Sequence, residues 1–370
     1  MELHKISIQD VLANLPEIEK IDFQKQFNGT IYDLYIQAVG FEHRTTGIVQ
    51  NLSKLKNIRI KEAILISYVT NIEDNLFHEK QLKQTLTSFT DLISSLSLNN
   101  DFDETIYNKI KSLVGAKKKL KILLDISTMS SRLILSLTRW LFQEDIELII
   151  LFTEGSIYHP TEKEFNNRKK EATEDLQSQT YGVAKVIVSP DYNGGPKENQ
   201  DLVICFPSFT AERTEAIITY IDDLILKQRD KDRLIWIVGD PHMENELSKR
   251  KRQEMQILIN KIPTDNKTYT VCTFDYKKTL EVLDHIYKEV YSNYHVNISD
   301  LGSKMQSFGI ALFCNLRRDV TVYYSEPVKY NSTYYSDGIK DFWMINVGQT
   351  SKFINELFRV DMLELKTKVD

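Results

Sequence analysis

Cysteine is scarce: Cys205, Cys272 and Cys314 are the only three in 370 residues, widely spaced and each beside apolar neighbours. With no CxxC pair, they read as reduced core thiols of a cytosolic protein, not as a disulfide framework. Glycine (13) and proline (8) are too few for a collagen-like or low-complexity chain. No apolar run approaches the roughly 20 residues a membrane-spanning helix needs. The N-terminal MELHKISIQDVLANLPEIEK has neither the apolar stretch of a secretory signal nor the acid-poor composition of a transit peptide. Also absent are GxGxxG after the first apolar run, GxxxxGK[ST], HExxH and GxSxG, which removes the main support for dinucleotide oxidoreductases, P-loop NTPases, zinc hydrolases and α/β-hydrolases. The seven histidines form no group with metal-ligand spacing, and nothing calls for a cofactor or a metal. A net charge of −5 argues against bulk nucleic-acid binding while leaving room for a local basic pocket.

What is present is a duplication. Residues 122–160 (ILLDISTMSSRLILSLTRWLFQEDIELIILFTEGSIYHP) slide without a gap onto 294–332 (YHVNISDLGSKMQSFGIALFCNLRRDVTVYYSEPVKYNS) at an offset of 172. This pairs Asp125 with Asn297, Ser127 with Ser299, Ser131 with Ser303, Arg132 with Lys304, Glu154 with Glu326 and Tyr158 with Tyr330. A second block, 34–49 on 203–218, aligns at an offset of 169 and pairs Arg44 with Arg213. Two blocks in the same order make the chain two copies of one unit.

Each copy alternates continuous apolar runs with helical patterns, which argues for a parallel sheet covered on both faces. The expected fold class is α/β: two Rossmann-like, doubly wound parallel-sheet units related by internal duplication, with peripheral helices. The expected units are 1–182, with N-terminal helices and a helical insertion over 71–119, and 183–370, with a C-terminal helix. The polar stretch 161–182 and the Gly-Gly-Pro turn cluster in 189–200 mark the boundary, with 184–189 as a possible short strand between them.

In open parallel sheets, ligands sit outside the carboxyl ends of the strands. Four strand-end loops per copy therefore hold the candidate residues. GFEHRTT (40–46) and PSFTAERT (207–214) supply Gly40, Glu42, Arg44, Thr45 and Arg213. A guanidinium beside a helix N-terminus suits an anion, while an Arg paired with Glu42 or Glu215 would be purely structural. DISTMSSR (125–132) and NISDLGSK (297–304) supply Asp125, Ser127, Thr128, Ser131 and Arg132, and Asn297, Ser299, Gly302, Ser303 and Lys304. Hydroxyls, backbone N–H groups and a cation at a helix start suit a phosphate; N-capping alone accounts for single serines. TEGSIYHP (153–160) and SEPVKYNS (325–332) supply Glu154, Tyr158, Glu326 and Tyr330, whose rings suit base stacking or interface packing. VGDPHMEN (238–245) adds Asp240 beside His242, a pair that fits acid–base work or a simple turn.

The series (D/N)-x-(S/T)-x-x-(S/T)-(R/K) after a strand resembles the CRISPR-associated Rossmann fold and related SAVED-like sensor superfamily. NISDLGSK keeps the glycine, Gly302, where DISTMSSR has Ser130. The resemblance implies a sensor for a nucleotide or cyclic oligonucleotide in prokaryotic anti-phage defence, with two domains pairing about a twofold axis and the ligand across their junction. No nuclease, protease or TIR segment is visible, so the resemblance further implies action through a protein effector partner or by self-assembly. The competing expectation is a phosphodiesterase- or nuclease-like enzyme acting on a nucleotide or nucleic acid, using Glu42, His43, Asp240 or Glu326 as acid or base.

Overall fold

The computed structural model describes residues 8–98, 102–116, 119–159, 161, 163–164, 179–195, 199–207, 211–228, 230–241 and 267–359. The chain opens with α1 (Ile8–Asn14), β1 (Ile18–Lys20), α2 (Phe23–Phe27), β2 (Ile31–Val39), α3 (Gly47–Leu52) and β3 (Arg59–Tyr68). It continues through α4 (Ile72–Leu86), β4 (Thr90–Leu98), α5 (Phe102–Ala116), β5 (Lys121–Asp125), α6 (Ser131–Leu141), β6 (Glu147–Thr153) and β7 (Ile157–Tyr158). Next come β8 (Thr180–Tyr181), β9 (Lys185–Val188), β10 (Gln200–Phe206), α7 (Ala211–Asp222), α8 (Leu224–Lys227), β11 (Leu234–Asp240) and β12 (Thr268–Cys272). Then follow α9 (Tyr276–Val290), β13 (Tyr294–Asp300), α10 (Lys304–Leu316), β14 (Thr321–Glu326) and β15 (Lys329–Tyr330). The last elements are β16 (Ser336–Asp337), β17 (Phe342–Gln349) and α11 (Thr350–Leu357).

Two compact units result. The first holds the chain up to Ser130, Ser136–Tyr158 and the chain from Ser336; the second holds Ser131–Leu135 and His159–Tyr335. In the first, seven strands run in the order β1-β17-β6-β5-β2-β3-β4. The strands β2 to β6 are mutually parallel, and β17 lies antiparallel on β6. In the second, six strands run β12-β11-β10-β13-β14-β9, parallel except for β9. Both are α/β sheets with the doubly wound order, and the order reverses between β2 and β5 and between β10 and β13. No helix among the described residues is long and apolar enough to cross a membrane.

The apolar runs form these strands because both faces of a parallel sheet are covered. Tyr35, Leu65, Leu123 and Leu151 share one buried cluster, and Val203, Cys205, Leu234 and Trp236 share another. Burying each such side chain contributes about 1.5–3 kcal/mol. In α10 every residue from Met305 to Leu316 is buried, which accounts for its all-round apolar pattern. That helix starts cleanly because Ser303 and Gln306 form a capping box.

Two expectations differ from the structure. The stretch 71–119 contains β4 between two helices, so it is not a helical insertion: Thr90–Leu98 is the third parallel strand, paired with β3. Among the described residues its outer edge has no paired strand, and many of its side chains are exposed, so its polar content hid it from an apolar-run search. The chain from Ser336 was expected in the second unit, but β17 completes the first sheet.

Candidate functional site

In the first unit the carboxyl ends of β2, β5 and β6 carry one connected polar network. Asp125 is fully buried; its Oδ1 accepts from the Ser127 amide at 2.9 Å and from the Ser127 hydroxyl, and its Oδ2 accepts from Tyr35 at 2.9 Å. Burial pushes its carboxyl up to about 6 against those hydrogen bonds. Ser127 Oγ in turn accepts from the Thr153 amide at 2.8 Å, tying this loop to β6. Thr128 donates to the Ala38 carbonyl at 2.8 Å. A Cβ at position 40 would lie 2.7 Å from Thr128 Cβ, so Gly40 is what lets the two loops close on each other. Thr45 donates to the Glu42 carbonyl at 2.6 Å.

Arg44 takes the structural alternative. It is buried and donates twice to Glu42, at 3.0 and 2.9 Å, with its guanidinium carbon 5.7 Å from the Phe152 ring centre and 5.9 Å from that of Tyr158. Ser336 also donates to Glu42. Glu42 is therefore a paired carboxylate, poorly placed to act as a base. Glu154 accepts from Lys340 at 2.9 Å and from Trp343 at 3.0 Å, and Tyr158 Oη accepts from the Gly155 amide at 3.0 Å. His43 stays exposed, 3.6 Å from Asp337.

The second unit brings Gly302, Ser303 and Lys304 to the end of β13, at the switch point. Asn297 is not there: it lies inside β13, donating to Asp201 at 2.8 Å and to the His295 carbonyl at 3.1 Å. The residue that sequence reasoning missed is Asp300. Gln37 pairs with Asp125 across the β2–β5 ladder, and Phe206 pairs with Asp300 across β10–β13. Gln37 and Phe206 correspond at the 169-residue offset, so this ladder sets Asp300 in the place of Asp125. The β5–β6 and β13–β14 ladders, with Leu151 and Tyr323 172 apart, set Ser299 there; Asp125 and Asp300 each end their strand. The gap-free alignment concealed this; the acid closing NISD was the available signal.

Asp300 is fully buried, and burial pushes it up to about 7 against the hydroxyl of Ser307, the Gly302 amide, the hydroxyl of Ser131 and the Lys304 charge. Ser307 donates to its Oδ1 at 3.0 Å, and Ser131 Oγ lies 2.9 Å from Ser307 Oγ. Among the described residues, Asp300 Oδ2 and Gln306 Nε2 are buried without a hydrogen-bond partner. Gly302 sits against the Gln306 side chain, since a Cβ there would lie 2.8 Å from Gln306 Oε1. Ser303 Oγ donates to the Thr273 carbonyl at 2.5 Å. Ser299 is buried within β13.

The remaining candidates lie farther along the strand ends. Arg213 donates to Ser325 Oγ at 3.0 Å and to its carbonyl at 2.6 Å. Arg132 is 3.8 Å and Lys185 3.2 Å from Glu326. Tyr330 is half-buried in β15. Asp240 ends β11, and its carbonyl accepts from the Thr273 amide at 2.7 Å; His242 lies outside the described residues.

No family model matches the chain, and no curated protein matches it. Among solved structures it is similar to a type III CRISPR defence DNA nuclease activated by cyclic oligoadenylate, at 8% identity and a TM-score of 0.42 over 76% of this chain. The overlap spans 63% of that neighbour's length. It is also similar to the cytoplasmic domain of a prokaryotic cation chloride cotransporter (10% identity, TM-score 0.25, 83% of this chain and 98% of that one). A third similar structure is UDP-GlcNAc 2-epimerase from Neisseria meningitidis (12% identity, TM-score 0.22, 73% and 77%). Scores of this size carry no conclusion about ligand or activity.

Proposed function

We propose that the protein is a nucleotide-binding sensor of the anti-phage defence class, its ligand a cyclic oligonucleotide or a related phosphate-bearing nucleotide, acting through a protein partner or by self-assembly. One observation carries the reading. At the switch point of the second sheet a buried acceptor, Asp300 Oδ2, and a buried donor, Gln306 Nε2, have no partner among the described residues. They lie beside Gly302 and at the start of α10, whose first residue is Lys304. Buried polar atoms are paired in nearly all native structures, and an unpaired one calls for an explanation such as a functional role, a water or an ion. A helix N-terminus with a cation in its first turn suits phosphate, and the NISDLGSK series supports the choice of a nucleotide.

The test is calorimetry of the intact chain with a panel of cyclic and linear oligonucleotides, followed by chromatography of the recovered ligand. We expect saturable binding of at least one cyclic species, weakened about tenfold or more in Lys304→Ala with folding unchanged. No binding across the panel removes the sensor reading. Recovery of cleaved ligand moves the protein to the enzyme class instead.

A further inference from the structure

The strand that closes each sheet does not come from the repeat it closes. In the chain β9 follows the first repeat, yet it pairs with β14; β17 follows the second repeat, yet it pairs with β6. The short ribbons behave the same way, with β8 on β15 and β16 on β7. Their registers coincide. Tyr158 faces Ser336 as Tyr330 faces Thr180, and Thr153 faces Phe342 as Ser325 faces Val186. The accepting residues, Tyr158 with Tyr330 and Thr153 with Ser325, are 172 apart. The arriving residues, Thr180 with Ser336 and Val186 with Phe342, are 156 apart. Gly182 and Gly338, also 156 apart, both adopt positive φ, 55° and 66°, where a side chain would be strained.

We infer that 180–188 and 336–349 are equivalent arms exchanged reciprocally between the repeats. The outer edges of β6 and β14 are thus strand-accepting surfaces, and the partner they fit is the arm of a second copy of the same unit. An open strand edge exposes a row of unpaired N–H and C=O groups, and swapping an identical element between protomers is an economical way to cover it. An arm-exchanged homodimer joined into one polypeptide has this connectivity. Each arm also reaches the acid at the end of the strand it covers, Lys340 on Glu154 and Lys185 on Glu326.

Cross-linking of the full chain tests this. A protease site is placed between Gly195 and Gln200, and cysteines are introduced at the facing positions Ile149 and Asn346, neither of them fully buried. Exchange predicts that oxidation followed by cleavage of the folded protein leaves Ile149→Cys/Asn346→Cys as one band on a non-reducing gel. The pair Ile149→Cys/Pro190→Cys, which an unexchanged first repeat would bring together within the N-terminal fragment, should show no disulfide in peptide mapping of that fragment. The opposite pattern, or a folded protein in which neither pair cross-links, overturns the inference. If the first pair does not fold, Val188→Cys/Tyr323→Cys gives the same reading from the second unit.

Discussion

Asp125 and Asp300 hold the same place at the end of the fourth parallel strand, but their surroundings differ. Around Asp125 both carboxylate oxygens are engaged, and the loops close through Ser127, Tyr35, Thr128 and Gly40. Around Asp300, its Oδ2 and Gln306 Nε2 have no hydrogen-bond partner among the described residues. Arg44 and Arg213 diverge in the same sense: one is sealed against Glu42 and two aromatic rings, the other is half-buried and bonded to one serine. Similar strand-end series thus have different surroundings. At the end of β5 the polar side chains brace one another, although Thr153 Oγ1 nearby is buried without a partner among the described residues.

The largest effect should come from the more tightly sealed side. Arg44→Ala leaves the buried Glu42 without its cation and should destabilise the protein by about 3–5 kcal/mol in chemical denaturation. Arg213→Ala, compared directly, should cost only about 1 kcal/mol. Equal losses would break the contrast.

Next is pH. Asp300 titrates near 7 in the fold and near 4 in an unfolded chain, so its proton favours the folded state. Its contribution is complete below about pH 4 and disappears as pH rises through about 7. Asp125, near 6 in the fold, acts in the same direction over a narrower window. Asp300→Asn should therefore remove a pH-dependent loss of about 2 kcal/mol between pH 5 and 7, read from unfolding midpoints of variant and parent. An unchanged pH profile would show that the second site is as well satisfied as the first.

A smaller difference concerns the glycines. Gly40→Ala drives a Cβ to within 2.7 Å of Thr128 Cβ and should cost about 1–3 kcal/mol. Gly302→Ala meets the end of the Gln306 side chain, which can turn away, and should cost about 1 kcal/mol or less while loosening the capping box. Thermal unfolding of the two variants ranks them.

Much of the fold was legible in the residues. Continuous apolar strands such as 33–39 and 121–126, separated by helical patterns, specify a covered parallel sheet because both faces must be buried. The third strands were not legible. Thr90–Leu98 is a partly exposed edge strand, and Thr268–Cys272 is a short one, so neither has an apolar run. At the candidate site, the glycine, serine and lysine of NISDLGSK were legible because backbone approach and capping leave local signatures. Asp300 was obscured because a gap-free alignment cannot show where a ladder ends.

The sequence by itself pointed to two α/β sheets, since apolar periodicity is a local property that each segment carries with it. Only the tertiary structure decided that Asp300 ends β13 as Asp125 ends β5, that Arg44 is held by Glu42, and that β9 and β17 complete sheets begun elsewhere in the chain. Which edge a strand joins depends on backbone hydrogen bonds between residues far apart in sequence, and no residue advertises that choice.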